Sequence, residues 1–462
     1  MTSVETSSAS SVSTRLEALP YGRFHKRLLL MGGTGYAFDA MDGAIIAFVL
    51  PILISLWSLS NVEAGLIVSA TYIGYFFGAI VAGTFGDVLG RRLIMMSALA
   101  IFSVASLISA FSPNWNVFFV LRIIAGFGIG AESAIVAPFL SEFVASRYRG
   151  RFIGSLAGFF SFGFLGAAVL GYLLVPRFES GWMLAIIVTS LPIFLLLWWR
   201  RELPESPRWL VSQGRQAEAE AIVGRIEEQC GVRSTEPGPE EGLEKTAECA
   251  AKTTGFFRNV PLLWSAGLRR ITLMSWILWI SITFSYYSFF TWIPTLLVQN
   301  GMSVTKSFTY SIAIYAAQVP GYFSAAFMNE ILGRKFTIVS YLLLGSLSGI
   351  GLATSGSDLT AILASICLSF FMNGTYAGVY AYTAEIYPTR VRATGVGLSS
   401  AMGRVSAIVA PVLVGVIYPL WGFFGIFGIT TIVLVSGALA VMLLGINTRG
   451  ISLEELEQRQ LG

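Results

Sequence analysis

The sequence of 462 residues contains few charged side chains, few cysteines and a single histidine. Charged residues make up only 12% of the chain, about half the share in an average soluble domain, and the mean hydropathy is +0.72. A water-soluble globular protein is therefore excluded. Three cysteines without a Cys-x-x-Cys spacing, and His25, provide neither a disulfide framework nor a zinc cluster. We expect no metal site and no cofactor. We also expect no nucleic-acid partner, because most charges lie between the apolar runs and not in a binding surface.

Long apolar runs occupy most of the chain. A membrane-spanning helix needs roughly 20 apolar residues, so a chain of this length holds on the order of a dozen spans. Forty-eight glycines fit helices that pack closely in lipid. The sequence therefore predicts an all-α membrane protein with twelve spans, near residues 28–57, 65–86, 93–111, 115–140, 152–176, 181–199, 271–299, 308–329, 336–354, 358–384, 394–418 and 421–446.

A polar segment, residues 200–270, divides the predicted spans into two groups of six. We therefore predict five regions in chain order. They are an N-terminal tail, a six-helix bundle, a linker, a second six-helix bundle and a C-terminal tail, at residues 1–27, 28–199, 200–270, 271–446 and 447–462.

The positions of lysine and arginine predict the orientation in the membrane. If both termini are cytoplasmic, 26 of the 30 basic residues fall in cytoplasmic segments, and only Arg177 and Lys306 lie outside. The other two, Arg122 and Arg404, lie within spans. Cytoplasmic loops of membrane proteins carry such an excess of basic residues. We therefore expect the tails and the linker to be cytoplasmic.

The two halves repeat at an offset of 243 residues. Residues 83–92 match residues 326–335, and the pattern Glu-x4-Arg-x-Arg occurs at Glu142 and again at Glu385. Two motifs at one offset indicate a duplication, which is typical of secondary transporters. Ionic latches between neighbouring helices are one explanation of these loops, and positive-inside topology alone is the other. The candidate gating residues are Asp87, Arg91, Glu142, Arg147, Glu330, Arg334, Glu385 and Arg390.

The motif Gly-x3-Asp-x2-Gly-Arg-Arg at residues 83–92 resembles the signature loop of the major facilitator superfamily, although Val88 stands where the family usually has arginine. The resemblance implies two pseudo-symmetric six-helix bundles that work by alternating access. Segments 122–130, 204–210 and 448–455 resemble the sugar porters and organic-ion transporters. The Gln-Gln pair of sugar porters is absent from residues 284–292, which disfavours a polyhydroxylated substrate.

The first predicted span carries Asp39 and Asp42, which resemble the Asp-x-x-Asp pattern of bacterial aromatic-acid:proton symporters and niacin-type transporters. The arginine at position 404 resembles the organic-anion members of the organic-ion transporters. Animal members of that group have a large loop after the first helix, whereas residues 58–64 form the whole connection here. The resemblance therefore favours a bacterial inner membrane.

Four ionisable residues within the first bundle are candidates for proton coupling. Asp39 and Asp42 lie three residues apart, on one face of a helix, and burial and mutual repulsion favour the neutral form of a carboxyl. The alternative is that both acids are structural. The resemblance to proton-coupled sugar porters implies that Arg122 pairs with Asp42 until Asp42 takes up a proton. For Glu132, a cavity-lining acid, a second proton relay and a structural hydrogen bond all remain open.

The second bundle contains the candidate substrate site. Arg404 has no acid in its own span, and its guanidinium can bind a carboxylate through two parallel hydrogen bonds. A charge network with Glu132 or Asp39 is the alternative. Trp292 is expected in an interface belt of aromatic residues. The remaining candidates offer aromatic faces and polar groups to a flat ring, and they are Tyr286, Tyr287, Phe290, Gln318, Asn373 and Tyr376.

The sequence thus favours a secondary transporter and not an enzyme. We expect a monomer that takes up a small aromatic carboxylate, such as nicotinate or a benzoate-like acid, together with protons. One rival is a proton-coupled transporter of organic cations, drugs or sugars. Another is a non-transporting receptor on the same fold.

Overall fold

The structure is a computed structural model that describes residues 12–232, 256–388 and 391–448, with all their side chains except those of Asp87, residues 256–259 and Ala393. Arg390 and parts of the predicted tails and linker lie outside the described residues. Within the described ranges the chain is largely helical and contains no strand. Ten of these helices are long and apolar enough to cross a membrane.

We label the membrane helices α1 to α12 in chain order. The first six are α1 Arg23–Trp57, α2 Asn61–Leu89, α3 Arg91–Ser109, α4 Trp115–Ser141, α5 Ser146–Leu174 and α6 Gly181–Glu202. The others are α7 Arg269–Phe290, α8 (Val304–Ala316 and Gln318–Ile331), α9 Arg334–Ala353, α10 Asp358–Ile386, and the helix Arg392–Leu444, which contains α11 (392–421) and α12 (423–444). Short helices lie at Pro207–Ser212, Gln216–Cys230, Phe256–Leu263 and Ile293–Gln299.

Two local features explain the difference between ten long helices and twelve crossings: one crossing, α8, consists of two shorter helices, and two crossings, α11 and α12, form one long helix. Helix α8 is interrupted at Ala317 because Pro320 has no N–H to donate to the carbonyl of Ala316. Helices α11 and α12 are continuous except at Gly422, whose φ of 58° and ψ of −155° are not helical. The predicted all-helical fold with twelve spans is therefore confirmed.

The chain packs as two compact units, and α1, α2, α5 and α6 each contribute to both. The first unit contains Met1–Gly43, Ile73–Gly166 and Met183–Ala251. Its helices approach closely where glycine replaces a larger residue. A Cβ at Gly74 or Gly78 of α2 would overlap the backbone of α4 at Ile123 or Phe127, so these positions exclude any side chain.

The second unit contains Ala44–Tyr72, Ala167–Trp182 and Lys252–Gly462. Within it, the later part of α1 packs on α8, where the rings of Phe48 and Phe308 lie 5.2 Å apart. The first part of α2 packs on α11. A Cβ at Gly65 would lie 2.6 Å from the carbonyl oxygen of Pro411, and the Ser69 hydroxyl donates to the carbonyl of Ile408 at 2.6 Å.

The duplication recurs in the structure at the same offset of 243 residues. Gly90 and Gly333 precede α3 and α9 with φ of 97° and 86°, a region that favours glycine. A Cβ at Gly321 would overlap the carbonyl of Phe370, as one at Gly78 would overlap that of Phe127. The two halves therefore share the same helix contacts as well as the same motifs.

The N-terminal segment is a folded part of the first unit. Val12, Leu16 and Leu19 are buried, and Arg15 forms two hydrogen bonds to Glu227, at 2.8 and 2.6 Å. Glu17 accepts hydrogen bonds from the Ser146 N–H at 2.7 Å and from Arg208 at 3.0 Å. Burial opposes ionisation of Glu17, but these hydrogen bonds outweigh it and hold its pKa below the usual value.

Candidate functional site

A buried ion pair joins α1 to α4 in the first unit. Asp42 and Arg122 are both fully buried, and the Nη2 of Arg122 lies 2.5 Å from the Oδ2 of Asp42. Hydroxyls from two further helices, Ser106 on α3 and Thr189 on α6, donate to Oδ1 at 2.7 and 2.8 Å. The Asp42 carboxyl group therefore accepts hydrogen bonds from three residues, Arg122, Ser106 and Thr189.

Arg122 is held equally closely. Its Nη1 donates to the Ser106 hydroxyl at 3.1 Å, and its Nη2 also donates to the backbone carbonyl of Asp42 at 3.3 Å. A guanidinium remains charged at every relevant pH, so in the membrane it requires an anion or a cluster of acceptors. Loss of the charge on Asp42 would remove the negative charge that the Arg122 guanidinium contacts at 2.5 Å.

Asp39 and Glu132 differ from Asp42 in having no hydrogen-bond donor among the described residues. Both are buried, at 1% and 0% exposure. A Cβ at Gly35, one turn before Asp39, would overlap the Glu132 carboxylate, so Glu132 lies against the backbone of α1. Glu132 and Asp42 both interact electrostatically with Asp39. Asp39, Asp42 and Glu132 thus form one electrostatic group, in which Asp42 is the acid that pairs with an arginine among the described residues.

The aromatic candidates come together in the second unit. The Tyr286 ring lies 4.4 Å from Phe290 and 5.3 Å from both Tyr287 and Tyr376, and Phe290 lies 5.1 Å from Tyr315. We call these five residues the aromatic cluster. They come from α7, α8 and α10, and most of the pairs meet edge to face.

Two amides adjoin the aromatic cluster. The Tyr286 hydroxyl donates to the Oε1 of Gln318 at 3.2 Å, and the Nδ2 of Asn373 donates to the backbone carbonyl of Gln318 at 2.7 Å. Gln318 is fully buried and is the first residue after the interruption in α8. Its Nε2 has no acceptor in the described part of the chain.

Arg404 lies near Tyr376, one member of the aromatic cluster. It is half-buried on α11 and interacts electrostatically with the Tyr376 phenol. The preceding Gly403 packs on α7, since a Cβ there would lie 2.9 Å from the Thr283 hydroxyl. The Tyr376 hydroxyl approaches the same Thr283 hydroxyl at 3.2 Å. The structure therefore brings every predicted substrate-binding residue into one region of the second unit.

Several residues of these two sites were missed by the sequence analysis. Ser106 and Thr189 are small hydroxyls in apolar helices, and no local pattern distinguishes them from other serines and threonines. Tyr72 of α2 lies 4.4 Å from Tyr287. Thr283 precedes Tyr286 by three residues and thus shares its helix face, which is a signal that could have identified it.

The loop motifs form matching ion pairs at the ends of helices. Arg91 pairs with Glu142, which also accepts a hydrogen bond from Ser206. At the equivalent positions, the Nε of Arg334 lies 3.0 Å from the Oε1 of Glu385. The two halves therefore form the same ion pair.

Two other candidate gating residues, Arg147 and Glu330, form no ion pair among the described residues. The guanidinium of Arg147 donates to the carbonyl of Leu19 at 3.3 Å and lies 4.9 Å from the Tyr148 ring. Glu330 is exposed, and the side chain of Asp87 and Arg390 lie outside the described residues.

The expected interface position of Trp292 is wrong. Its side chain is fully buried, and its Nε1 donates to the carbonyl of Pro411 at 3.1 Å. Helix α7 ends two residues before Trp292, at Phe290, and the short helix Ile293–Gln299 begins directly after it. It therefore packs inside the second unit and joins α7 to α11.

A duplicated bundle of membrane-crossing helices, with a buried ion pair and a cluster of aromatic and amide groups, defines a polytopic transporter of the major facilitator type. Comparison with known sequences makes the assignment specific. The chain belongs to the sugar (and other) transporter family, whose model matches residues 6–459. It is a membrane transporter of small molecules and not an enzyme.

Individual relatives resemble the chain over nearly its whole length. The niacin transporter NiaP of Acinetobacter baylyi is 37% identical over 96% of this chain and 99% of that protein. The putative niacin/nicotinamide transporter NiaP of Bacillus subtilis is 34% identical over 93% and 98%. The partially occluded inward-open xylose transporter XylE of Escherichia coli has the same fold, with a TM-score of 0.75 at 18% identity over 93% and 99% of the two chains.

Proposed function

We propose that this transporter imports a small aromatic carboxylate of the nicotinate type together with a proton. Two relatives that bear the name of niacin transporters support the substrate class. The observation that carries the proposal is the aromatic cluster beside Arg404. A flat ring stacks on aromatic faces, and a guanidinium binds a carboxylate with matched geometry.

The amides add polarity to a site whose walls are otherwise aromatic. In a ligand site of this kind, apolar and aromatic residues supply most of the contact area, and a few placed polar groups determine orientation. Gln318 and Asn373 are such groups. Sugar substrates need many hydrogen-bonding partners around the ring, and the tyrosine and phenylalanine faces of the aromatic cluster do not offer them.

The proton acts through Asp42 in this proposal. A proton on Asp42 removes the negative charge opposite Arg122, so the ion pair that joins α1 to α4 weakens. Helix α1 carries Asp42 in the first unit and Phe48, six residues later, in the second. Phe48 contacts Tyr315 at 5.6 Å, and Tyr315 belongs to the aromatic cluster. Helix α1 therefore connects Asp42 to Phe48, a residue that contacts the aromatic cluster.

Asp39 and Glu132 are candidates for a second proton-binding site in this scheme. Burying a carboxylate without donors is costly, so a proton on either of them lowers the energy of the site. Neither has an arginine partner among the described residues. We therefore assign the coupled proton to Asp42, and Asp39 and Glu132 would serve only if more than one proton is transported.

The repeated ion pairs would act as gates, and the basic loops would face the cytoplasm. Arg91 with Glu142 and Arg334 with Glu385 hold helix ends together at equivalent places in the two halves. Partly exposed pairs of this kind are weak, so they can open in each transport cycle. With both termini cytoplasmic, the protein would operate by alternating access in a bacterial plasma membrane, as a monomer.

Uptake into liposomes containing the purified protein tests the substrate class. Labelled nicotinate is competed with benzoate, xylose and a quaternary ammonium ion, with and without an inward proton gradient. The proposal predicts saturable nicotinate uptake that aromatic carboxylates inhibit and the other two do not. Inhibition by the cation alone would instead favour Asp39 and Glu132 as the substrate site.

A further inference from the structure

The side-chain amide of Gln318 has one satisfied end and one unsatisfied end. Its Oε1 accepts the hydroxyl hydrogen of Tyr286 at 3.2 Å, and its backbone carbonyl accepts from Asn373 at 2.7 Å. The Nε2 carries two N–H donors, is buried, and has no acceptor among the described residues. An amide donor left in this state costs free energy unless a ligand pairs with it.

The direction of the unsatisfied end is fixed. An amide group is planar, so the hydrogen bond from Tyr286 to Oε1 determines where Nε2 points. The Asn373 bond holds the backbone of Gln318 at the interruption in α8. A buried serine hydroxyl, such as that of Ser285, can rotate toward a carbonyl of its own helix, but the amide of Gln318 cannot.

The chemistry of the neighbours limits what the amide can bind. Tyr286, the partner of Gln318, also contacts Tyr376, which interacts electrostatically with Arg404. A carboxylate on an aromatic ring is better matched to the guanidinium than to a neutral amide. The group left for Nε2 is then an acceptor that lies in the plane of the ring. A pyridine nitrogen is such an acceptor, and a benzene ring has none.

We propose that Gln318 is a specificity-determining residue that selects pyridine carboxylates over benzene carboxylates by donating an Nε2–H to the ring nitrogen. The inference rests on the proposed function, because it assumes that an aromatic carboxylate occupies the aromatic cluster. A site built to hydrogen-bond a substrate rejects an analogue without the matching group, since the buried donor is then left unpaired. We expect a preference for nicotinate over benzoate of about tenfold or more in half-saturation.

The test compares nicotinate with benzoate in the wild type and in Gln318→Met, which keeps the length of the side chain and removes the amide. Half-saturation is measured for both acids in liposomes. The expected result is that the nicotinate-to-benzoate preference falls about tenfold in Gln318→Met, through weaker nicotinate transport, while benzoate is unaffected or improved. Picolinate and isonicotinate carry the ring nitrogen at other positions. Where the wild type prefers one of them to benzoate in half-saturation, that preference should also be lost in Gln318→Met.

Asn329→Leu is the matched control, because Asn329 is also a buried amide on α8 but belongs to neither proposed site. It should retain the wild-type preference even if overall transport falls. An unchanged preference in Gln318→Met, or a wild type that does not distinguish the two acids, would overturn the inference and leave the proposed function intact. If Gln318→Met is not recovered folded, Gln318→Leu also removes the amide donor, and a retained nicotinate preference there would equally overturn the inference. Absence of transport of any aromatic carboxylate by the wild type would instead refute the proposed function.

Discussion

Replacing Asp42 with asparagine removes one charge from a fully buried ion pair and changes little else. Asparagine keeps an oxygen that can accept from Arg122, and the hydroxyls of Ser106 and Thr189 can turn to accept from its amide. The variant therefore isolates the charge of Asp42. We predict that Asp42→Asn no longer accumulates substrate against a gradient but still exchanges internal for external substrate, since a permanently neutral side chain mimics the protonated state.

The size of the effect follows from the geometry. Arg122 and Asp42 approach to 2.5 Å at zero exposure, and removal of one partner of such a pair typically costs about 3–5 kcal/mol. In transport, one proton coupled to each monoanion converts one pH unit into about 1.4 kcal/mol, which is tenfold accumulation. We therefore expect about tenfold accumulation for the wild type and none for Asp42→Asn.

Two assays separate coupling from folding. Counterflow in liposomes reports exchange, and uptake under a pH difference of one unit reports accumulation. The stabilities of the wild type, Asp42→Asn, Arg122→Met and the double variant, measured by thermal inactivation, form a double-mutant cycle. Because Asp42→Asn/Arg122→Met leaves neither charge of the pair buried without its partner, it should be more stable than the sum of the single effects predicts, by about 1–3 kcal/mol. Full accumulation by Asp42→Asn would refute the assignment and make Glu132 the next candidate.

Three further predictions concern other parts of the molecule. Arg404→Lys keeps the charge but loses the planar fork, so half-saturation for nicotinate should rise about tenfold, and an unchanged value in Arg404→Ala would exclude this residue as the anchor. Transport of a monoanion with one proton moves no net charge, so an inside-negative potassium–valinomycin potential at equal pH should change uptake little, whereas two protons would add about 2.3 kcal/mol per 100 mV. The lowered pKa of Glu17 means that its contribution to holding the N-terminal segment is complete above the unfolded value of about 4.3 and is lost as pH falls through the lower folded value. Protease cleavage of the segment in detergent should accordingly increase below about pH 4 in the wild type, and a Glu17→Gln variant with the same pH dependence would contradict this.

The fold followed from sequence because membrane crossings have a strong signal in length and hydropathy. The places where predicted and observed helices differ have local causes. Helix α8 is interrupted because of Pro320, and α11 continues into α12 through Gly422. Trp292 was misplaced because the buried neighbour that pairs with its indole, Pro411, is 119 residues away in sequence.

The candidate sites could be predicted only in part. Charged residues inside apolar spans are conspicuous, so Asp42, Arg122 and Arg404 were identified. The hydroxyls that complete the Asp42 network come from α3 and α6, and only tertiary packing selects Ser106 and Thr189 from many similar residues. The unsatisfied end of Gln318 likewise depends on Tyr286 holding the other end, which no sequence pattern encodes.

Simultaneous measurement of nicotinate and proton movement tests the central claim most directly. Liposomes with the purified protein and an internal pH dye receive external nicotinate at equal pH on both sides, with protein-free and Asp42→Asn liposomes as controls. The account predicts saturable internal acidification that accompanies nicotinate entry in a one-to-one ratio and is absent from both controls. Nicotinate entry through the wild-type protein without any proton movement would contradict it.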